Sequence, residues 1–235
     1  MQPYFLPYLG YFDLIFNSDL FIAYDTVQYI KQGWINRNRV LHPEKLGWLY
    51  IHAPLNRSSF DRSFETKIAD VRVHGGKPWK QRILGQLLHY RKDAPFYGQV
   101  IQLVKECFSL EEESISRLNM KMLDLCAQYI GMRFEYRFSS ELNLGLDLKL
   151  NAEERVLNFC DHFHATEYIN LPGGAHLYNP DVFNSHGVRL VFRQLPTFVY
   201  PTSPYAFEPN LSIIDVLMWN APEIIKKYLN LHRGN

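Results

Sequence analysis

Short apolar stretches alternate with amphipathic stretches in the second half of the chain, and this alternation constrains the fold more than any other feature. The predicted strands and helices follow one another at 133–138, 151–164, 167–171, 180–186 and 188–194. Asn151 and Glu154 have the spacing of a capping box at the start of the first of these helices. Because strands that alternate with helices form parallel sheets through right-handed crossovers, the sequence predicts an α/β fold.

The remainder of the chain fits the same class. Pro78 begins a stretch of three consecutive helical patterns that Gly131 ends, so we expect a helical insertion at about 77–131. The other predicted elements are a helix at 8–17, strands at 20–24 and 48–53, and closing helices at 210–220 and 222–231. No internal repeat or linker interrupts the chain. We therefore expect a single domain over 1–235, built from a mostly parallel sheet flanked by helices.

The composition is that of an ordinary globular protein, with 47% hydrophobic and 21% charged residues. There is no stretch of about 18 apolar residues and no basic-led hydrophobic run at the start, so we expect neither a membrane span nor a secretory signal. The three cysteines lack the paired spacing of metal sites and are an odd number for a disulfide framework. We expect reduced thiols, no bound metal and a cytoplasmic location.

Positive charge is concentrated in one segment, although the formal net charge of the chain is only +1. Residues 31–92 hold 13 Lys and Arg against 4 Asp and Glu, and the rest of the chain holds 12 against 20. A net charge near zero gives no general attraction to DNA or membranes. The local excess predicts an anionic small molecule held at one place, the alternative being that these cations only solvate surface helices.

Three loops follow the ends of predicted strands, after Tyr24, Leu171 and Gln194. In open α/β sheets, ligands bind beside the carboxyl ends of the strands, so we expect the functional site at these loops.

The loop after Tyr24 is the most polar of the three. Asp25 follows the predicted strand directly and can serve as a general base. The next residues bring guanidinium groups suited to phosphate, amides suited to sugar hydroxyls, and rings that stack. We expect substrate contacts from Gln28, Tyr29, Lys31, Trp34, Asn36, Arg37, Asn38 and Arg39. Of these, Lys31, Arg37 and Arg39 would hold one anion in a shared pocket. The alternative is a solvated hairpin whose Arg and Asn residues cap turns.

A Gly-Gly pair follows the predicted strand at 167–171. The backbone N–H groups of Gly173 and Gly174 can face an anion, and His176 and Tyr178 beside them can donate or accept protons. The alternative is a tight turn that only packs Leu177.

The N-terminal segment is dense in proline, glycine and aromatic residues. A strand near residue 2 and the strand at 20–24 would be joined by one short helix, which makes them parallel neighbours whose carboxyl ends lie on the same side. We therefore expect Gln2, Tyr4, Gly10 and Tyr11 to line the same cleft as the polar block after Tyr24. Glycine would be needed at position 10 because a side chain would collide with the ligand or the opposite loop. The alternative is a packed N-terminal arm.

Three stretches of the chain resemble the WbqC-like protein family. They are QPYFLPYLGYF at the start, FIAYDTVQYIKQGWINRNRV, and FEPNLSIIDVLMWN near the end, and together they extend from residue 2 to about residue 220. The family occurs in bacterial gene clusters for O-antigen and surface polysaccharides. Its members usually carry a few apolar residues, forming a first strand, before the Gln-Pro pair, whereas Met1 directly precedes Gln2 in this sequence.

The resemblance implies an enzyme that transfers an amino-acyl group, glycine in particular, to the amine of a nucleotide-linked amino sugar. In such a reaction Asp25 would accept a proton, and His176 or the N–H groups of Gly173 and Gly174 would stabilise the oxyanion. No motif selects the acyl donor or a cofactor. Two alternatives stay open, a nucleotidyl-transfer or adenylate-forming enzyme and a non-catalytic sugar-nucleotide-binding protein.

Overall fold

The computed structural model describes residues 1–60, 66–76, 78–142, 144 and 150–233. Its regular elements, in chain order, are α1 (Leu9–Phe16), β1 (Leu20–Ala23), β2 (Arg37–Leu41), β3 (Trp48–His52), α2 (Trp79–Gln86), α3 (Tyr97–Ser109), α4 (Ile115–Tyr129), β4 (Glu135–Phe138), α5 (Ala152–His162), β5 (Glu167–Asn170), α6 (Pro180–Ser185), β6 (Arg189–Phe192), α7 (Ile213–Trp219) and α8 (Pro222–Leu231).

The strands form pairs, two of them parallel, and the predicted α/β class is confirmed. β1 pairs with β4 and β5 pairs with β6 in parallel, while β2 and β3 form an antiparallel hairpin. The strands of residues 133–194 were expected to share one sheet. Instead, β4 bonds to β1, which lies more than 100 residues earlier in the chain, and not to the following strand β5.

The first residue of the chain lies beside β1. The Met1 amino group donates to the carbonyl of Ile22 at 2.9 Å, and the amide of Tyr24 donates to the carbonyl of Met1 at 2.8 Å. This alternation of donor and acceptor is that of a parallel pair. The N-terminal segment and the loop after β1 therefore leave the strand region side by side.

Two of the predicted arginines lie on a strand rather than in a loop. Arg37 and Arg39 belong to β2, where Arg39 is opposite Tyr50 of β3. Asn38 and Val40 between and after them are buried, so the arginines point outward. Asparagine is uncommon in strands, and its position on the buried face hides the alternation by which a strand is recognised.

The predicted helical insertion is confirmed, with α2, α3 and α4 in the expected positions; Lys77, at its predicted start, lies outside the described residues. Ser114 caps α4 by accepting a hydrogen bond from the amide of Arg117. The predicted capping box of α5 is also present, because Asn151 and Glu154 exchange hydrogen bonds between side chain and backbone.

Buried apolar side chains form two clusters. The large one joins α1, β1, the β2–β3 hairpin and the helices of the insertion to α7 and α8. The small one lies between α5, α6 and the β5–β6 pair, around Phe183. In the ranges that the structure describes, no helix combines the length and the apolar character needed to cross a membrane.

Candidate functional site

A cleft of about 930 Å³ opens between side chains packed against the two clusters. Its walls come from the N-terminal segment, from the loops after β1, β5 and β6, and from residues 207–211. The volume is that of a site for a small organic molecule. All three loops that follow predicted strand ends contribute to this one cleft.

The lining is aromatic, with a few polar groups. The rings belong chiefly to Tyr4, Tyr8, Trp34, Tyr178, Phe198 and Phe207. The polar groups include Gln2, Arg39, Asn170, Gln194, Glu208 and Asn210. Such a surface suits a ligand that combines hydrophobic ring faces with hydroxyl or charged groups.

Arg39 is the principal cation of the cleft. Its guanidinium carbon lies 5.2 Å from the ring centre of Trp34 and 5.0 Å from that of Trp48, and one N–H donates to the carbonyl of Asn210 at 3.3 Å. None of the ion pairs between described residues includes Arg39, and its buried Nε has no hydrogen-bond partner among them. Two indole rings thus orient a guanidinium whose charge no described carboxylate neutralises.

Glu208 is the one carboxylate among the described residues that line the cleft. It lies two residues before Asn210, whose carbonyl accepts the hydrogen bond from Arg39. The guanidinium of Arg39 and the carboxylate of Glu208 therefore come from neighbouring parts of the cleft wall.

The N-terminal wall is held by a stack of tyrosines. The rings of Tyr4 and Tyr11 stack at 5.0 Å, and the Tyr11 hydroxyl donates to the carbonyl of Gln2 at 2.8 Å. Tyr11 is fully buried, which raises the pKa of its hydroxyl well above the usual range. Tyr11 therefore supports two lining residues without lining the cleft itself.

Glycine at position 10 makes room for a protein side chain rather than for a ligand. A β carbon at Gly10 would overlap the ring of Tyr8, whose Cζ would lie only 2.9 Å away. The Tyr8 ring lines the cleft, and burial together with nearby Tyr4 and Asp13 raises its pKa to about 12. A side chain at position 10 was expected to collide with the ligand or the opposite loop, but in the structure it would collide with the ring of Tyr8.

The opposite wall combines the Gly-Gly turn with a tyrosine cluster. Gly173 and Gly174 line the cleft in the turn after β5. Tyr178 follows them and packs edge-on against Tyr168 and Phe183 at 5.7 and 5.8 Å. Its ring is thus fixed to the small cluster.

A buried ion pair fixes the loop after β6. The Nε and Nη2 of Arg193 donate to the two carboxylate oxygens of Asp13, both at 3.1 Å, and Nη2 also donates to the carbonyl of His232 at 2.7 Å. Arg193 is only 7% exposed and Asp13 only 1%. The charge of Arg193 is therefore matched within the protein, unlike that of Arg39.

A second buried carboxylate lies behind the cleft. Asp215 of α7 accepts hydrogen bonds from the hydroxyls of Tyr90 and Tyr200 and from the amide of Leu41. Burial raises its pKa to about 6, although these three donors act in the opposite direction. Tyr200 lines the cleft, so Asp215 orients one wall residue.

The structure brings nine of the predicted site residues to the cleft. From the first half of the chain they are Gln2, Tyr4, Gly10, Trp34, Asn38 and Arg39, and from the second half Gly173, Gly174 and Tyr178. Lys31, Arg37 and Arg39 were expected to share one anion, but of these three only Arg39 lines the cleft.

Asp25 is buried away from the cleft and is surrounded by serines. Its Oδ1 accepts from the Ser139 hydroxyl and the Ser140 amide, both at 3.0 Å. Its Oδ2 accepts from the Ser116 and Ser140 hydroxyls, both at 2.9 Å. With four donors on two oxygens and 2% exposure, this carboxylate links the end of β1 to α4 and to the turn after β4.

The other predicted residues lie outside the cleft lining. Tyr29 donates to the side chain of Asn36, which in turn donates to the carbonyl of Ala53, so both stabilise the hairpin. Arg37 lies over the ring of Tyr50 at 4.2 Å, on the outward face of the hairpin. The remaining ones, Gln28, Lys31 and His176, are exposed at the surface.

One backbone carbonyl gathers three distant parts of the chain. The Leu6 carbonyl accepts from the Asn38 side chain at 2.9 Å and from the Ser212 hydroxyl at 2.8 Å. Leu6 has a φ of 41°, a conformation that a branched side chain rarely adopts. The two hydrogen bonds hold this turn of the N-terminal wall in place, next to Arg39, whose carbonyl accepts from the Ser212 amide at 2.9 Å.

Comparison with known proteins confirms the family that the three sequence stretches resemble. The model of the WbqC-like protein family matches residues 2–227. The chain belongs to this family. A relative described as "Uncharacterized protein Rv1507c", from Mycobacterium tuberculosis (strain ATCC 25618 / H37Rv), is 28% identical over 222 residues, or 92% of this chain and 90% of the relative. No solved structure matches the chain.

The three stretches that resemble the WbqC-like family therefore meet at one place. The first supplies Leu6, the second Asn38 and the third Ser212, and all three stretches also contribute to the cleft wall. The third stretch begins with Phe207 and Glu208, two cleft residues that were not predicted as site residues. An aromatic and an acidic residue at the start of this motif could have indicated a ligand contact. The apolar residues that follow them indicated a packed helix instead.

No metal site is evident in the part of the chain that the structure describes, where no three His, Cys, Asp or Glu side chains are grouped to hold an ion.

Proposed function

We propose that this WbqC-like protein transfers an amino-acyl group, glycine in particular, to the amine of a nucleotide-linked amino sugar bound in the cleft. The observation that carries the proposal is Arg39, an oriented guanidinium with no carboxylate partner among the described residues, in an aromatic cleft. The family's presence in surface-polysaccharide gene clusters supports the choice of an amino sugar.

Binding would depend on the charge and rings of the cleft. A diphosphate offers several oxygens to the guanidinium of Arg39, and charge-assisted hydrogen bonds of this kind are about twice as strong as neutral ones. The sugar ring would pack on the aromatic walls formed by Tyr4 and Tyr178. Side-chain amides such as that of Gln2 would accept and donate hydrogen bonds to its hydroxyls.

Acyl transfer to an amine requires a proton acceptor. The nitrogen lone pair attacks the carbonyl carbon of an activated acyl donor, the donor's leaving group departs with its electron pair, and the nitrogen loses one proton. Glu208, the carboxylate of the cleft lining, would accept that proton. Asp25 is not assigned this role because its two oxygens already accept four hydrogen bonds away from the cleft.

The test is a mass spectrum of the products after incubation with nucleotide-linked 4-amino sugars and glycine, supplied with ATP, as a thioester or as glycyl-tRNA. A glycylated sugar nucleotide is the expected product. Glu208→Gln should lower turnover by about 10²–10⁴ while leaving the dissociation constant of the sugar nucleotide within about threefold. Glu106→Gln, a change of an exposed residue on α3, is the matched control and should leave turnover unchanged.

Other outcomes would replace the proposal. Release of pyrophosphate from ATP without a glycylated sugar would indicate the adenylate-forming alternative. Tight binding of the sugar nucleotide without any product from any donor would indicate a binding protein. Full turnover of Glu208→Gln would remove Glu208 from the mechanism.

A further inference from the structure

A surface of rings and arginines continues from the cleft onto the outward face of the β2–β3 hairpin. Arg39 contacts Trp34 on the cleft side and Trp48 on the hairpin side. The ring of Trp48 packs edge-on against Tyr50 at 4.8 Å, and the guanidinium of Arg37 lies 4.2 Å from the centre of the Tyr50 ring. We call Arg37, Trp48 and Tyr50 the hairpin platform.

The platform is both accessible and positively charged. Trp48 is 37% exposed, although it is a large aromatic residue. Arg37 donates to the carbonyls of Gln32 and Gly33, and no described carboxylate forms an ion pair with it. An exposed indole beside the guanidinium of Arg39, with that of Arg37 over the adjoining Tyr50 ring, is suited to a ligand that combines a flat ring with negative charge.

We propose that the hairpin platform binds the nucleoside of the substrate, with the base stacked on Trp48. This inference rests on the proposed function, in which the substrate is a nucleotide-linked sugar. It adds the direction in which that substrate lies. The nucleoside lies outside the cleft on the hairpin, the diphosphate lies at Arg39, and the sugar points inward toward Glu208.

The covalent order of the substrate supports this direction. In a sugar nucleotide the diphosphate separates the sugar from the nucleoside. Arg39 likewise stands between two surfaces, the cleft that contains Glu208 and the platform that contains Trp48. If the diphosphate is at Arg39 and the sugar amine is in the cleft, the nucleoside extends toward the platform. Arg37, two residues before Arg39 on β2 and over the ring of Tyr50, then adds positive charge beside the diphosphate.

Calorimetry tests the hairpin platform without any acyl transfer. The dissociation constants of UDP, GDP and dTDP are each compared with that of inorganic pyrophosphate. Stacking on Trp48 predicts that at least one nucleoside diphosphate binds about tenfold more tightly than pyrophosphate. Trp48→Ala should reduce this preference to within about threefold. Because Trp48 also orients Arg39, any loss at the phosphates weakens pyrophosphate and the nucleoside diphosphates alike and cancels in the preference. Arg39→Ala should weaken binding of both kinds of ligand by about tenfold or more.

Two further variants separate stacking from general effects on the hairpin. Leu46→Ala, a matched loss of an apolar side chain that is 75% exposed on the same hairpin, should leave both affinities unchanged. Trp48→Phe keeps a ring and should retain most of the nucleoside preference. This pair also shows whether Trp48→Ala acts through the missing ring or through a disturbed hairpin.

The inference is overturned if no nucleoside diphosphate is preferred over pyrophosphate, or if Trp48→Ala leaves a preference intact. Its failure is distinguishable from that of the proposed function. A preference that depends on Trp48, found in a protein that glycylates no sugar nucleotide, keeps the platform and removes the transferase. If the protein glycylates a sugar nucleotide but its preference for nucleoside diphosphates does not depend on Trp48, the transferase is kept and the platform is removed.

Discussion

Replacing Asp25 by alanine and by asparagine distinguishes a structural anchor from a general base. The side chain accepts four hydrogen bonds, from the hydroxyls of Ser116, Ser139 and Ser140 and from the Ser140 amide. Ser116 and Ser139 are buried, so water cannot replace the lost acceptor in Asp25→Ala. A buried donor without a partner costs about 1–3 kcal/mol. The two buried hydroxyls together predict a loss of about 2–6 kcal/mol in the free energy of unfolding, whereas the donors of Ser140, an exposed residue, can turn to water.

Asparagine can keep the same hydrogen-bond geometry. Its oxygen can accept from Ser139 and the Ser140 amide, as Oδ1 does now. Its amide nitrogen would then face two hydroxyls, those of Ser116 and Ser140, which can rotate to accept. Only the charge assistance is lost, and we expect Asp25→Asn to cost about 1–2 kcal/mol.

The assay is urea unfolding followed by tryptophan fluorescence, together with turnover of the sugar nucleotide. Asp70→Ala, at an exposed aspartate, is the control and should stay within about 0.5 kcal/mol of wild type. The anchor role is refuted if Asp25→Ala is as stable as wild type. It is also refuted if Asp25→Asn keeps its stability yet loses about 10²–10⁴ in turnover, because that loss is typical of a missing general base.

Three further predictions concern stability. Burial raises the pKa of Asp215 to about 6, so the folded protein holds this proton more tightly than the unfolded chain does and loses stability as the pH rises. In urea titrations at each pH, wild type should lose about 2 kcal/mol between pH 4 and 6 relative to Asp215→Asn. Arg193→Met should cost about 3–5 kcal/mol, since it leaves Asp13 buried and unpaired, and Asp13→Asn in the same chain should recover part of this loss. Gly10→Ala should destabilise wild type but stabilise Tyr8→Ala by about 0.5–1 kcal/mol; equal effects in both backgrounds would contradict the clash.

Much of the fold could be read from short windows of sequence. The helices of the insertion, the capping box of α5 and the strands β1 and β5 follow from periodicity and from caps whose partners are three or four residues apart. The family also follows from local motifs, and so does the expectation that the loops after strand ends share a site. These features depend on interactions that neighbouring residues make with one another.

The assignment of roles within the site depended on contacts between distant residues. Asp25 and Arg39 are both prominent polar residues of one motif, and nothing in their local sequence separates them. Asp25 is buried because serines more than 90 residues later in the chain surround it. Arg39 reaches the cleft because it lies on the outward face of β2, which only its pairing with β3 defines.

The class of fold, most of the elements and the segments that form the site follow from local sequence patterns. Which side chains of those segments face the cleft depends on contacts made in the folded protein. Leu6 illustrates the reason, because its carbonyl is held by Asn38 and Ser212, 32 and 206 residues away. Side-chain direction in a short loop is set by such distant partners. Local preferences are too weak and too similar among neighbouring polar residues to decide it.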